Sequence, residues 1–238
     1  MKIVKPSVSL LWITPNAEQM IERAGRVAYK SEDKITPDSA PKFIKMIIDR
    51  GHEAVIEHAS ASLLFVTDRG VTHEIVRHRL FSYVQESTRY CNYGLNKFGN
   101  EITVIEPPSL EGDALDNWNY SAKIAEDVYK GMISRGVSPQ IARSVLPNCL
   151  KTEIVVTGNL REWRHFFRLR MAKAAHPQMR QIAVMAFGML HYNITSVFAD
   201  MVPWALAQTD EADAEWAKAA GIDPELFKQV EAERAKAK

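Results

Sequence analysis

Cysteine is scarce: Cys91 and Cys149 are the only two in 238 residues. Two thiols cannot staple a chain of this length, so a disulfide framework is excluded and a reduced, cytoplasmic protein is expected. Neither cysteine lies in a setting that clearly lowers its pKa, so neither is assigned as a nucleophile. A charge excess is also missing. Lys plus Arg is 30 and Asp plus Glu is 29, for a net charge of +1. A general nucleic-acid binder is usually strongly basic, so that class is set aside. No apolar run approaches the roughly 18 residues of a membrane helix, and no membrane role is expected. The first residues lack a small-residue cleavage site, and Val8–Thr14 reads better as a strand than as a leader. No glycine-rich phosphate loop follows a strand, which argues against a Rossmann dinucleotide site.

What is there is ordinary for a folded chain: 46% hydrophobic and 25% charged residues, enough for a real core. Strands are expected over Val8–Thr14, Ser60–Thr67, Glu101–Glu106 and Thr152–Thr157. Helices are expected from Asn16 to Lys30, with Met20, Ala24 and Val27 on one face, and from Ser39 to Arg50. Others run from Gly70 to Arg79, from Leu110 to Arg135, from Ser138, from Leu160, and from Gln178 to Phe198. The mixture reads as α+β, with helices packed on an antiparallel sheet. One domain is expected over residues 1–205, followed by a charged helical extension over 206–238.

Three basic segments carry chemistry. In the first, a helical wheel continued through residue 80 puts Val71, Ile75, Val76 and Leu80 on one side, with Arg79 among them. An arginine on an apolar side needs a partner, and guanidinium forks match phosphate geometry. Arg79 lies beside Arg77 and His78, and the two Args with the donors that follow (Ser82, Gln85, Ser87, Thr88, Arg89) could surround an anion. In the second, Gly158–Arg170, the wheel puts Arg161, Arg164, His165 and Arg168 on a basic face. Arg164 and Arg168 read as solvated there. Leu160, Trp163, Phe166 and Phe167 form the other face, and Arg170 lands among the aromatics, where a flat ligand could sit. In the third, Ile141–Thr152, Arg143 could equally serve a structural ion pair. An RNA-binding reading of the arginine-rich helix is disfavoured by the balanced charge and by the lack of an aromatic RNP-type strand.

Arg77-His78-Arg79, seven residues, then Ser87: this spacing resembles the signature of flavin-dependent (ThyX-type) thymidylate synthases. Arg50–His58 (RGHEAVIEH), Ala142–Pro147 (ARSVLP) and Gly158–Arg170 (GNLREWRHFFRLR) are similar to the same family. The likeness covers roughly residues 15–200.

The resemblance implies a homotetramer with active sites shared between subunits, and a single ThyX-like domain. It implies FAD at the segment His52 to Ala54, at Arg77, His78, Arg79 and Gln85, and at Asn159, Leu160, Arg161 and His165. It implies dUMP held by Glu74, Ile75, Val76, Arg77, Gln85, Glu86, Ser87, Thr88, Arg89, Arg143 and Arg170. NADPH would reduce the FAD and methylenetetrahydrofolate would supply the carbon; no metal is implied. Arg170 is the catalytic candidate, because uracil must become electron-rich at C5, and a cation at its N3–O2 edge would stabilise that charge. The chain departs from the family pattern twice. Glu74 stands where a glutamine can occur, and Ala174 stands where a histidine often follows Arg170, with His176-Pro177 after it.

Overall fold

The computed structural model describes residues 1–94 and 99–208. The elements run β1 (Lys2–Val4), β2 (Ser7–Ile13), α1 (Ala17–Val27), α2 (Ala40–Asp49), β3 (Ser60–Asp68), α3 (Arg69–Ile75) and β4 (Ser82–Gln85). They continue with β5 (Thr103–Ile105), α4 (Gly112–Ser134), α5 (Pro139–Ala142), β6 (Lys151–Asn159), α6 (Leu160–Arg170), α7 (Pro177–Asn193), α8 (Thr195–Phe198) and α9 (Val202–Gln208). The expected extension falls outside the described residues from position 209 onward.

The main sheet has four strands in the order β2-β3-β6-β4. Its hydrogen bonds give the directions. Thr14 N, at the end of β2, donates to Ser60 O at the start of β3. Leu160 N donates to Ala59 O, and Arg69 N donates to Leu150 O. Glu86 N, just past β4, donates to Glu153 O early in β6. Each pairing matches a late position to an early one, so the sheet is antiparallel and the α+β expectation holds. A second, two-stranded sheet was not anticipated. In it β1 pairs in parallel with β5, Lys2 opposite Thr103; a three-residue strand leaves too short an alternation to read.

Two compact units share these elements: residues 1–7, 65–77 and 83–155 in one, 8–64, 78–82 and 156 onward in the other. In the first unit, Ile102, Val104, Tyr129 and Leu150 are fully buried in a core that Ala122 and Ala142 complete. In the second, α6, α7 and α8 bury Trp163, Phe166, Phe167, Phe187 and Phe198, whose rings meet mostly edge to face. Helix α7 has buried residues all round, including Met179, Ile182, Met185 and Leu190. That accounts for its Met- and Ala-rich composition, since a helix with no solvated face needs no polar stripe. A Cβ at Gly158 would lie 2.0 Å from the Phe81 ring, so only glycine lets that ring rest on β6.

Three helix readings need correction. On α1 the buried residues are Ala17, Ile21, Glu22 and Gly25, whereas Met20 and Val27 are about half exposed. The close approach of α2 selects that face, because a Cβ at Gly25 would stand 2.6 Å from Phe43. Helix α3 stops at Ile75 rather than Arg79. The Ile75 carbonyl accepts from Tyr83 Oη at 2.8 Å, and separate turns follow, with Arg77 N on Glu74 O and Phe81 N on His78 O. The helix expected over 178–198 breaks at Ile194, which leaves the helical region at φ −148°.

Candidate active site

Ending α3 at Ile75 reverses the roles of the basic triplet. Past that point the 100° wheel no longer applies, so Arg79 is not on an apolar side; it is exposed, as is Arg77, and His78 is the buried member. In its unit, His78 packs on Phe166 at 4.9 Å between ring centroids and on Phe81 at 6.1 Å. Arg170 Nε donates to His78 Nε2 at 2.9 Å. The wheel placed Arg170 beside the aromatics correctly, because α6 continues unbroken to that residue.

Burial drives the His78 pKa down to about 4, with Arg170 and then His165 adding to the effect. The ring is therefore neutral near pH 7. With Nε2 accepting from Arg170, its one proton must sit on Nδ1. Nδ1 is 3.6 Å from Glu162 Oε1, so this is a dipole facing a carboxylate rather than an ion pair. Burial raises the Glu162 pKa. Ligand atoms of His78, Glu162 and His165 lie within 4.8 Å of one another, a spacing a cation could bridge. A metal on Nδ1 would have to displace the proton that the Arg170 contact places there, so the trio is better suited to hold Arg170 than a metal.

The same helix carries the other expected residues. Asn159 caps it, accepting from Glu162 N at 2.8 Å. Leu160 is fully buried, with its N–H on Ala59 O. Arg161 and His165 are exposed. Arg164 is not solvated as expected: it is 0% exposed. Its Nη1 donates to Asp200 at 2.6 Å and to the Val197 carbonyl, and its Nη2 to Asp200 at 2.7 Å and Glu53 at 3.1 Å. Those carboxylates lie 36 and 111 positions away, beyond the reach of any wheel. Arg168 is exposed and touches Glu53 at 3.2 Å. Ala54 is exposed and, with His52, lines a cavity of about 610 Å³ that also holds Arg26, Lys34 and Arg50 and has no acidic wall.

The other unit holds a second set. Gln85 Nε2 donates to Thr72 Oγ1 at 3.0 Å and to Thr152 Oγ1 at 3.3 Å. Glu86 accepts from Tyr93 Oη at 2.7 Å and from Lys151 at 3.4 Å. Arg143 Nη1 reaches the buried Thr88 Oγ1 at 3.2 Å, so the structural ion pair allowed for it is absent among the described residues. Ser87 Oγ accepts from Arg89 N. Ile75 is core, Val76 and Arg89 are exposed, and Glu74 is half-buried. Glu162, Thr72 and Thr152 escaped the sequence reading. Each is a common residue type that no motif marks, and only the fold gives it a partner.

Burial, with Asp68 adding, raises the Cys149 thiol to about 11, which leaves little thiolate at neutral pH. Cys91 packs against the core of the same unit.

A buried neutral histidine holding an arginine, on an α+β frame, is an arrangement that can bind and polarise a ligand. Comparison with known proteins identifies the class. The family described as thymidylate synthase complementing protein matches residues 9–192. A flavin-dependent thymidylate synthase of Mycobacterium sp. (strain KMS) is 37% identical over 217 residues, 81% of this chain and 83% of the relative. One from Mycobacterium marinum is 35% identical over 229 residues, 88% and 89% of the two chains. The crystal structure of a UMP/dUMP methylase, PolB, from Streptomyces cacaoi bound with 5-Br dUMP has the same fold. Its TM-score is 0.72 at 20% identity, over 84% of this chain and 96% of that one. The chain belongs to the flavin-dependent thymidylate synthase family, and it is an enzyme. Among the described residues, no helix is long and apolar enough to cross a membrane.

Proposed function

We propose that this enzyme converts dUMP to dTMP in the cytoplasm, with methylenetetrahydrofolate as carbon donor and FAD, reduced by NADPH, as the hydride source. Family membership supports the reaction class. The observation in this chain that carries the reading is Arg170, a cation anchored on a neutral, buried imidazole. When bound, FAD supplies the reducing hydride, and the protein binds, orients and polarises. The donors suit such a group: Ala54 and His52 line a cavity with cationic and apolar walls. Arg77, Arg79, Gln85, Asn159, Arg161 and His165 add N–H groups for a pyrophosphate and a ring edge, while Leu160 and His78, whose N–H groups face Ala59 and Glu162, are proposed to contribute packing.

For dUMP, the proposed contacts are Glu74, Ile75, Val76, Arg77, Gln85, Glu86, Ser87, Thr88, Arg89, Arg143 and Arg170. Ile75, whose side chain is core, can contribute only its main chain. Glu86 works from a carboxylate already fixed by Tyr93 and Lys151. Arg170, at the N3–O2 edge of uracil, stabilises charge as C5 becomes nucleophilic. We take residues 1–205 as the catalytic domain, with Ala174 and His176-Pro177 shaping the backbone after Arg170.

The purified protein should be yellow and should form dTMP from dUMP and methylenetetrahydrofolate only when flavin is present. The Cys91→Ala/Cys149→Ala double variant should turn over at the parent rate, since this route needs no thiolate. A colourless protein that takes up no FAD would sink the reading; a folded, flavin-loaded double variant with no turnover would restore a thiol route.

A homotetramer is also proposed. Tyr120, Ile124 and Val128 form an exposed stripe at i, i+4 and i+8 on α4, and Leu11, Trp12, Met20 and Val27 are exposed in the other unit. Apolar surface of this kind favours self-association. Light scattering should give about four times the 26.9 kDa chain mass; a monomer at micromolar concentration would rule the tetramer out.

A further inference from the structure

Glu162 is a buried carboxylate without a cation. It is 6% exposed. Among the described residues no lysine or arginine nitrogen lies within 4.0 Å of it, and the basic atom that faces it is His78 Nδ1 at 3.6 Å. Burial raises its pKa, with His165 opposing. A carboxylate held this way costs free energy unless a polar group answers it. Its place is the third position of α6, where its N–H donates to the Asn159 cap at 2.8 Å. In a capping box a glutamate at this position turns back to the N–H of the cap residue. Glu162 makes no such return bond among the described residues; its side chain faces His78 instead.

Glu162, Phe166 and Arg170 follow one another at intervals of four on α6, so they form a single ridge of the helix. The His78 ring lies over the middle of that ridge, 4.9 Å from Phe166 between centroids and at 63° to it. Its two nitrogens meet the two ends: Nδ1 faces Glu162, and Nε2 accepts from Arg170 Nε at 2.9 Å. A neutral imidazole carries one proton, and its two tautomers are not equivalent here. With the proton on Nδ1, an N–H faces the carboxylate and a lone pair faces Arg170. With the proton on Nε2, donor would meet donor at Arg170, and lone pair would meet carboxylate at Glu162.

We infer that Glu162 is a positioning residue for the reaction: by holding the Nδ1–H tautomer of His78, it keeps Nε2 an acceptor for Arg170 and so sets the plane of that guanidinium. The inference rests on the reading of Arg170 as the group that stabilises charge on uracil. Arg170 selects this tautomer only while it is seated on the ring. Glu162 selects it in either case, so the acceptor is formed before the arginine docks.

The test uses the FAD-loaded full-length enzyme. Nitrogen NMR of histidine-labelled protein reports the tautomer, with His78 assigned from the signal lost in His78→Gln. Single-turnover oxidation of reduced flavin with dUMP and methylenetetrahydrofolate reports the chemistry. In the parent and in Arg170→Ala, His78 should carry its proton on Nδ1. In Glu162→Ala the Nε2–H form should appear and the rate should fall about tenfold or more, as when a carboxylate behind an orienting histidine is removed. Glu162→Gln, which keeps an acceptor for Nδ1, should recover most of that rate. In the Arg170→Ala background, Glu162→Ala should cost nothing further, because it acts through Arg170. A Glu162→Ala protein that only melts earlier, with tautomer and rate unchanged, would overturn the inference and leave Glu162 as a helix-terminus residue. So would additive losses in the double variant, or a Gln variant as slow as the Ala one. If Glu162→Ala does not fold, Glu162→Met fills the space without an acceptor and replaces it. The tautomer in Arg170→Ala needs no change at Glu162, and an Nε2–H ring there would overturn the inference by itself. Parent-rate turnover in Arg170→Ala would instead bring down the reading of Arg170, a separate result.

Discussion

Replacing Arg170 with alanine is expected to leave the fold and the bound flavin intact and to slow dUMP methylation about a hundredfold, a loss of about 3 kcal/mol in transition-state stabilisation. The His78 hydrogen bond occupies one nitrogen of the guanidinium. Because the group is planar, fixing Nε fixes the plane in which the two Nη atoms lie. The rings of Phe166 and Phe81 beside His78 exclude water, so the field of the cation is weakly screened. Arg170→Lys should rescue poorly, since an ammonium cannot both meet His78 and present a planar pair of donors. Single-turnover oxidation of reduced flavin with dUMP and methylenetetrahydrofolate is the deciding measurement. A variant that forms dTMP at the parent rate would remove Arg170 from the chemistry.

His78 gives this arrangement a pH window. Its folded pKa is about 4, against 6.5 for the ordinary group. Above pH 6.5 neither the folded nor the unfolded chain protonates it, and its contribution is fully present. As pH falls from 6.5 toward 4 the unfolded state takes up the proton first, so stability is lost across that interval. His78→Gln, which keeps an acceptor for Arg170 but does not titrate, should flatten this part of the stability curve. An unchanged slope would show that another group titrates there.

Arg164→Ala should be the most destabilising single substitution considered, costing about 3–5 kcal/mol. The side chain is fully buried and bridges Asp200, Glu53 and the Val197 carbonyl. Burial works against its charge, yet Asp200 and then Glu53 overcome this and raise its pKa. Truncation would leave Asp200 facing a hole with no cation, and Glu53 with only the exposed Arg168. For a chain of this size the loss corresponds to a melting temperature roughly 6–20 °C lower. Glu53→Gln should cost less, because Asp200 keeps the charge paired. Calorimetry on the purified protein checks both, and a melting point within 2 °C of the parent for Arg164→Ala would refute the anchoring role.

Arg164 and Arg170 also mark where sequence reading stops. The wheel over α6 sorted Trp163, Phe166 and Phe167 correctly and placed Arg170 beside them, because a helix fixes the side of every residue it contains. It assigned Arg164 to water, because a wheel contains no information about carboxylates elsewhere in the chain. The wheel over residues 71–80 failed for a different reason. It assumed that the helix continued, and the turn after Ile75 exchanged the environments of His78 and Arg79.

By itself, the sequence determined what depends on local spacing and composition: the α+β class, most helices and strands to within a few residues, and the basic motif that identifies the family. Tertiary structure alone decided the partnerships: that His78 is buried and holds Arg170, and that Glu162 faces its other nitrogen. Hydrogen bonds within helices and turns link residues a few positions apart and leave a periodic trace in the chain. The Arg170–His78 contact spans 92 positions. Nothing in the intervening sequence encodes that distance; it exists only once two distant elements pack together.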